Sequence, residues 1–142
     1  MPFIELTGIK ADTAALAQIA TGVTEAVVDT LSVPAETVTI YFTPFDAAHY
    51  AHGGSISAPA RRRIFVKLNI LARSIGVRRR AAAAVCAAIA MPINHDKRNI
   101  AIYFIERSTE EVSHAGILEC DRPLSERTHI PSVSTTSSNL QE

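Results

Sequence analysis

The sequence predicts an α+β fold in which two fused β-α-β units form a four-stranded sheet with two helices on one face. Two observations carry this. Residues 2–54 align with residues 64–116 at one constant offset of 62, without a gap. Each copy also reads strand, helix, strand, turn when its apolar periodicity is followed along the chain. Identities run through the whole alignment: Phe3 with Phe65, Leu6 with Leu68, Val23 with Val85, Ala26 with Ala88, and Gly54 with Gly116. Ile40, Tyr41 and Phe42 meet Ile102, Tyr103 and Phe104, and His52 meets His114. A repeat of this length is too long for a solenoid and suits a duplicated supersecondary unit.

The first unit opens with "PFIELTGI" and the second with "IFVKLNIL", β-branched and aliphatic runs suited to strands. Asp12 and Ser74 stand at equivalent positions and read as helix N-caps. In the first helix Leu16, Ile19, Val23, Ala26, Val27 and Leu31 recur at three- and four-residue steps and make one apolar stripe. The second helix, "IGVRRRAAAAVCAAIA", keeps Val77, Val85 and Ile89 on that stripe; its alanines allow close packing, and Pro92 is expected just past its end. "TVTIYF" and "NIAIYF" follow as second strands, and glycine-containing turns close both units. A strand-helix-strand crossover makes the two strands of each unit parallel and the connection right-handed.

These elements define one domain over residues 1–120, made of repeats at 2–58 and 63–118. Residues 121–142, rich in Ser, Thr and Pro, read as a polar C-terminal tail. Two helices cover one face of four strands and leave the other bare, so self-association is expected.

Bulk composition excludes several function classes. The 142 residues carry 14 basic and 14 acidic side chains, which gives no long-range pull toward nucleic acid or an anionic membrane. The basic runs at 61–63 and 78–80 lack interleaved aromatics and read as a linker and a solvated helix face, although one of Arg61–Arg63 could enter a site at the start of the following strand. No apolar run approaches the roughly 18 residues needed to span a bilayer. Cys86 and Cys120 form no C-x-x-C pair and read as free thiols. His49 and His52 have H-x-x-H spacing without a third ligand, so no metal is expected. The chain reads as soluble and cytoplasmic, with no cofactor.

Pro2 has the most chemical meaning. Aminopeptidases remove an initiator Met that precedes proline, which would leave Pro2 with a free secondary amine at the start of a buried strand. An α-amine titrates near 7.7–8.0 in peptides, and an apolar pocket or nearby cations would lower that value. A base poised near neutrality is what proton transfer beside a carbonyl requires.

"PFIEL" directly after Met, "VTEAVVDTLSVPAETVTI" in the first helix and strand, and "HYAHGG" in the turn together resemble the 4-oxalocrotonate tautomerase superfamily. The fusion of two units, with "IFVKLNILARS" and "NIAIYFIE" in the second, resembles the subgroup that includes cis-3-chloroacrylic acid dehalogenase. The resemblance implies a trimer of fused chains, with Pro2 as general base and a small carboxylate as substrate. It implies that Arg73 binds the substrate carboxylate, for which a permanently charged, bidentate guanidinium is suited. Tyr103 corresponds to a tyrosine that orients a water or donates to an oxyanion. Tyr50 falls on an aromatic position of the single-unit enzymes. His114 falls where the dehalogenases carry a water-activating glutamate.

Other positions depart from that pattern. The subgroup's second carboxylate-binding arginine falls on Leu71, its helix histidine on Val27, and the short tautomerases' strand arginine on Thr39. Keto-enol tautomerisation, which needs one base and a group that polarises a carbonyl, is therefore favoured. The alternatives are a hydratase or dehalogenase of 3-substituted acrylates, with His114 activating water, and a non-catalytic trimeric scaffold.

Overall fold

A computed structural model of the chain describes residues 1–56 and 62–127. The first unit contains β1 (Phe3–Thr7), α1 (Thr13–Leu31) and β2 (Thr39–Thr43), closed by the short hairpin β3 (Ala51–His52) and β4 (Ser55–Ile56). The second contains β5 (Ile64–Leu71), α2 (Ile75–Ile93) and β6 (Ile100–Arg107), closed by β7 (Ser113–His114) and β8 (Ile117–Leu118). The expected α+β fold of two β-α-β units is what the chain adopts. The sheet runs β2-β1-β5-β6, with β1–β2 and β5–β6 parallel and the central β1–β5 pair antiparallel.

Both helices start where the sequence places them. Asp12 accepts a hydrogen bond from the Ala15 N–H (2.8 Å) and Ser74 from the Val77 N–H (3.3 Å). Both end on residues in the left-handed conformation at equivalent positions, Ser32 (φ 55°) and Asn94 (φ 47°). Pro92, expected beyond the second helix, lies inside its last turn. Asn94 sets the end instead: its N–H bonds the carbonyls of Ala90 and Met91. A proline so close to the terminus forfeits one helical hydrogen bond, and its fixed φ is otherwise helical.

The apolar stripes of the helices meet the sheet. Ile19, Val23 and Val27 from α1, and Val85 and Ile89 from α2, are fully buried against Ile4 and Leu6 of β1 and Val66 and Leu68 of β5. Each such side chain contributes about 1.5–3 kcal/mol over its exposed state. The helices approach closely where Gly22 faces Ala88; a Cβ added to Gly22 would lie 3.2 Å from the Ala88 Cβ.

No helix among the described residues covers the opposite sheet face. Phe3 and Tyr41 meet edge to face there (centroids 6.4 Å apart), and Phe65 and Tyr103 stack at the equivalent place in the second unit. Phe3, Tyr41 and Tyr103 remain 42, 56 and 56% exposed. Between the aromatic pairs the face is polar: Glu5 is opposite Lys67, and Asn69 bonds both Glu5 and the Phe3 carbonyl.

After β8 a 3-10 turn at Glu119–Asp121 buries Glu119. Arg122 pairs with Glu119 (3.1 Å) and donates to the His114 carbonyl (2.7 Å), and Arg127 donates to the carbonyls of Cys120 and Arg122. Most of the segment read as a tail, residues 128–142, lies outside the described residues, as do 57–61 between the repeats. No helix among the described residues is long and apolar enough to cross a membrane.

Candidate active site

The antiparallel β1–β5 pairing decides what comes together. It sets the C-terminal ends of β5 and β6 beside the N-terminal ends of β1 and β2, with Phe3 opposite Asn69 and Leu71 opposite Arg107. A cleft of about 360 Å³ opens at this end of the sheet. Met1, Pro2 and Phe3 enter it from the start of β1, and Thr39 and Tyr41 from β2. Asn69 and Leu71 line it from β5, Arg107 from the end of β6, and Val112 to His114 close one side.

Pro2 is buried, and its carbonyl accepts the Thr39 N–H (3.2 Å), which fixes it against β2. Arg73 lies behind it. A narrow gap lined by Met1, Pro2, Leu31, Val33, Leu71 and Arg73 connects the two. The Arg73 guanidinium donates to the carbonyls of Leu71 (3.3 Å), Ala72 (3.1 Å) and Leu31 (3.5 Å), and its Nε is buried without a hydrogen-bond partner among the described residues. Burial pushes this guanidinium down from its ordinary value, and the nearby Glu106 carboxylate opposes that.

The same surroundings act on the amino terminus. Burial holds the Met1 amine below its ordinary value; Glu119 pulls it up and Arg73 pushes it further down. An amine placed here loses its proton more readily than one in water. Glu119 was not singled out from the sequence. It is a buried carboxylate, ion-paired with Arg122, and it faces the amino terminus electrostatically.

The sequence-predicted residues divide into two groups within one chain. Pro2 and His114 line the cleft, and Arg73 lies against its floor. Thr39 and Leu71, the positions where the resemblance expects arginines, line it too, so the geometry is present without those charges. Val27 is instead fully buried in the core. Tyr103 lies away from the cleft, stacked on Phe65. Tyr50 is buried and stacked on Phe45 (centroids 5.4 Å apart), with its hydroxyl accepting the Arg63 N–H (3.1 Å). Arg107 and Tyr41 enter the cleft without having been anticipated. The signal for Tyr41 was its place as the repeat mate of Tyr103; for Arg107 it was the alternation of β6, which aims Tyr103, Ile105 and Arg107 at the open face.

The arrangement offers a cleft without a carboxylate among its described lining residues. It is walled by a guanidinium, an imidazole and a phenol, and the start of the chain is at its base. It can receive a small anion and hold it against whatever group Pro2 presents.

No family model and no curated protein matches the chain. Solved structures share its fold over most of its length. A wild-type fused 4-OT, described as an asymmetric trimer, superimposes with a TM-score of 0.76 at 19% identity, covering 84% of this chain and 99% of that one. A member of the cis-3-chloroacrylic acid dehalogenase family gives 0.73 at 15% identity, covering 87% and 94%. A malonate semialdehyde decarboxylase inhibited by 3-bromopropiolate gives 0.62 at 21% identity, covering 80% and 87%. The fold is thus the fused tautomerase-like fold that the repeat predicts.

Proposed function

We propose that the chain is a cofactor-independent tautomerase of a small 2-oxo or enol carboxylate, with Pro2 as general base after removal of Met1. The observation that carries this reading is the position of Pro2, buried at the base of a cationic cleft where burial lowers an amine's proton affinity. The neutral secondary amine takes the enol proton, the electron pair shifts along the conjugated system, and the prolinium returns the proton to carbon. No electrons are gained or lost overall.

Carboxylate binding falls to the two arginines that flank Pro2. Arg107 stands on the cleft wall, and Arg73 lies behind the floor with a buried Nε that an oxyanion would satisfy. At the same place burial lowers the Met1 amine, Glu119 pulls it up and Arg73 pushes it down, and a Pro2 amine would feel the same cation. Tyr41 supplies a phenol within the same chain. Tyr103 acts at a cleft only when a neighbouring copy supplies it, and we propose a trimer that brings copies together through the exposed aromatic face. Tyr50, buried with its hydroxyl held by the Arg63 N–H, keeps a packing role. Similar structures described as trimers support that assembly.

His114 on the cleft wall supports one second reading, in which it activates water for hydration or dehalogenation of a 3-substituted acrylate. The test is ketonisation of an aryl-enol-pyruvate by the purified chain of verified intact mass, beside Pro2→Ala. The variant keeps a terminal amine but loses the ring that positions it, so kcat is predicted to fall, by at most about the 10²–10⁴-fold that a positioned base contributes. Turnover of acrylates alone would favour the second reading. No turnover of either substrate by protein lacking Met1 would leave the scaffold.

A further inference from the structure

The fold contains a second cleft at the far end of the sheet, related to the floor of the first by the internal repeat. It measures about 260 Å³ and is lined by Gly8, Ile9, Lys10, Arg62, Ile64, Ile93 and His95. At the offset of 62, Ile64 stands where Pro2 stands, Ile93 where Leu31 stands, and His95 where Val33 stands. Gly8 and Ile9 are in turn the mates of Ile70 and Leu71. The apolar frame is therefore kept, while the polar groups are new: the proline is gone and three basic side chains have taken up positions around the space.

Two of these groups lack what a buried polar group ordinarily has. Arg62 is 9% exposed, yet its only hydrogen bond among the described residues runs from Nη1 to the Phe45 carbonyl (3.2 Å). Its guanidinium also lies 6.0 Å from the Phe45 ring centroid, which fixes its direction. A guanidinium carries five N–H donors, and a buried charge is ordinarily matched by an opposite one. His95 Nε2 is buried without a hydrogen-bond partner among the described residues. The acidic residue next to it in the chain, Asp96, is held by Arg98 through bonds of 2.7–3.1 Å and does not line the cleft. No carboxylate is among the described lining residues, and Lys10 adds an exposed second cation.

We propose that this second cleft binds a small oxyanion, a carboxylate or phosphate, between Arg62 and His95, with Lys10 at its mouth. The anion satisfies the Nε2–H tautomer of His95 and neutralises the Arg62 charge with charge-assisted hydrogen bonds. The site is independent of Pro2, so binding here stands or falls separately from the proposed tautomerase activity.

The test follows the His95 imidazole by NMR in the full chain while inorganic phosphate or, separately, malonate is added. A saturable shift at His95, without a matching shift at His49 or His52, is the expected result; His114 lines the first cleft and reports on that site separately. Whichever anion binds more tightly identifies the source of the oxyanion. Arg62→Met and Lys10→Ala each weaken binding, Arg62→Met by about tenfold or more, since a charged hydrogen bond is worth roughly 1.5–3 kcal/mol. Pro2→Ala leaves it unchanged. If Arg62→Met does not fold, the exposed Lys10→Ala, which keeps the His95 reporter, decides the matter. A linear, non-saturating response, or unchanged affinity in these variants, means adventitious ion association only and overturns the proposal.

Discussion

Arg107 and Arg73 approach Pro2 from different sides, and their substitutions should separate. Arg107 stands in the open cleft, and its one hydrogen bond among the described residues is a 3.4 Å bond to the adjacent Glu106 carbonyl. Arg107→Ala is expected to raise KM by roughly tenfold or more while kcat changes little, as removal of a uniform binding contact does. Steady-state kinetics of the variant check this. Arg73→Ala removes a cation that depresses the amine, so it should also move the pH profile. The sign follows from the base being the neutral amine. At this place burial lowers the Met1 amine's affinity for protons, Glu119 opposes that and Arg73 adds to it. A Pro2 amine under the same influences makes kcat/KM rise with pH through a midpoint below the ordinary range of about 7.7–8.0. In Arg73→Ala the rise shifts to higher pH. A wild-type midpoint at or above that range would contradict the assignment. At this scale Pro2, Arg73 and His114 were legible, because the repeat and the family resemblance each mark a position. Arg107, Asn69 and Glu119 were not. They reach the site through the antiparallel β1–β5 junction and the turn after β8, long-range placements that no local pattern encodes.

The elements follow from local chemistry more closely. Asp12 and Ser74 cap their helices as the sequence predicts, whereas Pro92 misleads because a proline near a helix end costs only one hydrogen bond. The two closing hairpins differ in one informative residue. Gly53 and Gly54 both take positive φ in the first turn, while the second uses Ala115 (φ 52°) and Gly116 (φ 78°). A Cβ in that conformation is strained, so Ala115→Gly should stabilise the chain by about 0.5–1 kcal/mol, read as a higher Tm. The α1–α2 contact predicts the opposite response. Gly22→Val places a branched side chain against Ala88, where a single Cβ is already at 3.2 Å. A loss of about 1–3 kcal/mol is expected in denaturant unfolding.

For the whole molecule, the fold class was legible because duplication prints the same local pattern twice and two helices can cover only one sheet face. How the open face is used was less legible. Its strands alternate, but the exposed set mixes four aromatics with Glu5, Lys67 and Asn69, so polarity alone does not mark an interface. Ile105 lies on this face opposite Asn69. Ile105→Glu should convert the proposed trimer to monomer without loss of helix content, as measured by sedimentation velocity and circular dichroism. A wild-type chain that sediments as a monomer would remove the neighbour-supplied role of Tyr103. The most direct test of Pro2 as the base is the pH titration of its nitrogen by NMR in ¹⁵N-proline-labelled protein, with the signal assigned by its loss in Pro2→Ala. A secondary amine that titrates below the ordinary amine range is the predicted result. An amide-like nitrogen that does not titrate would show Pro2 acylated by a retained Met1 and contradict the account.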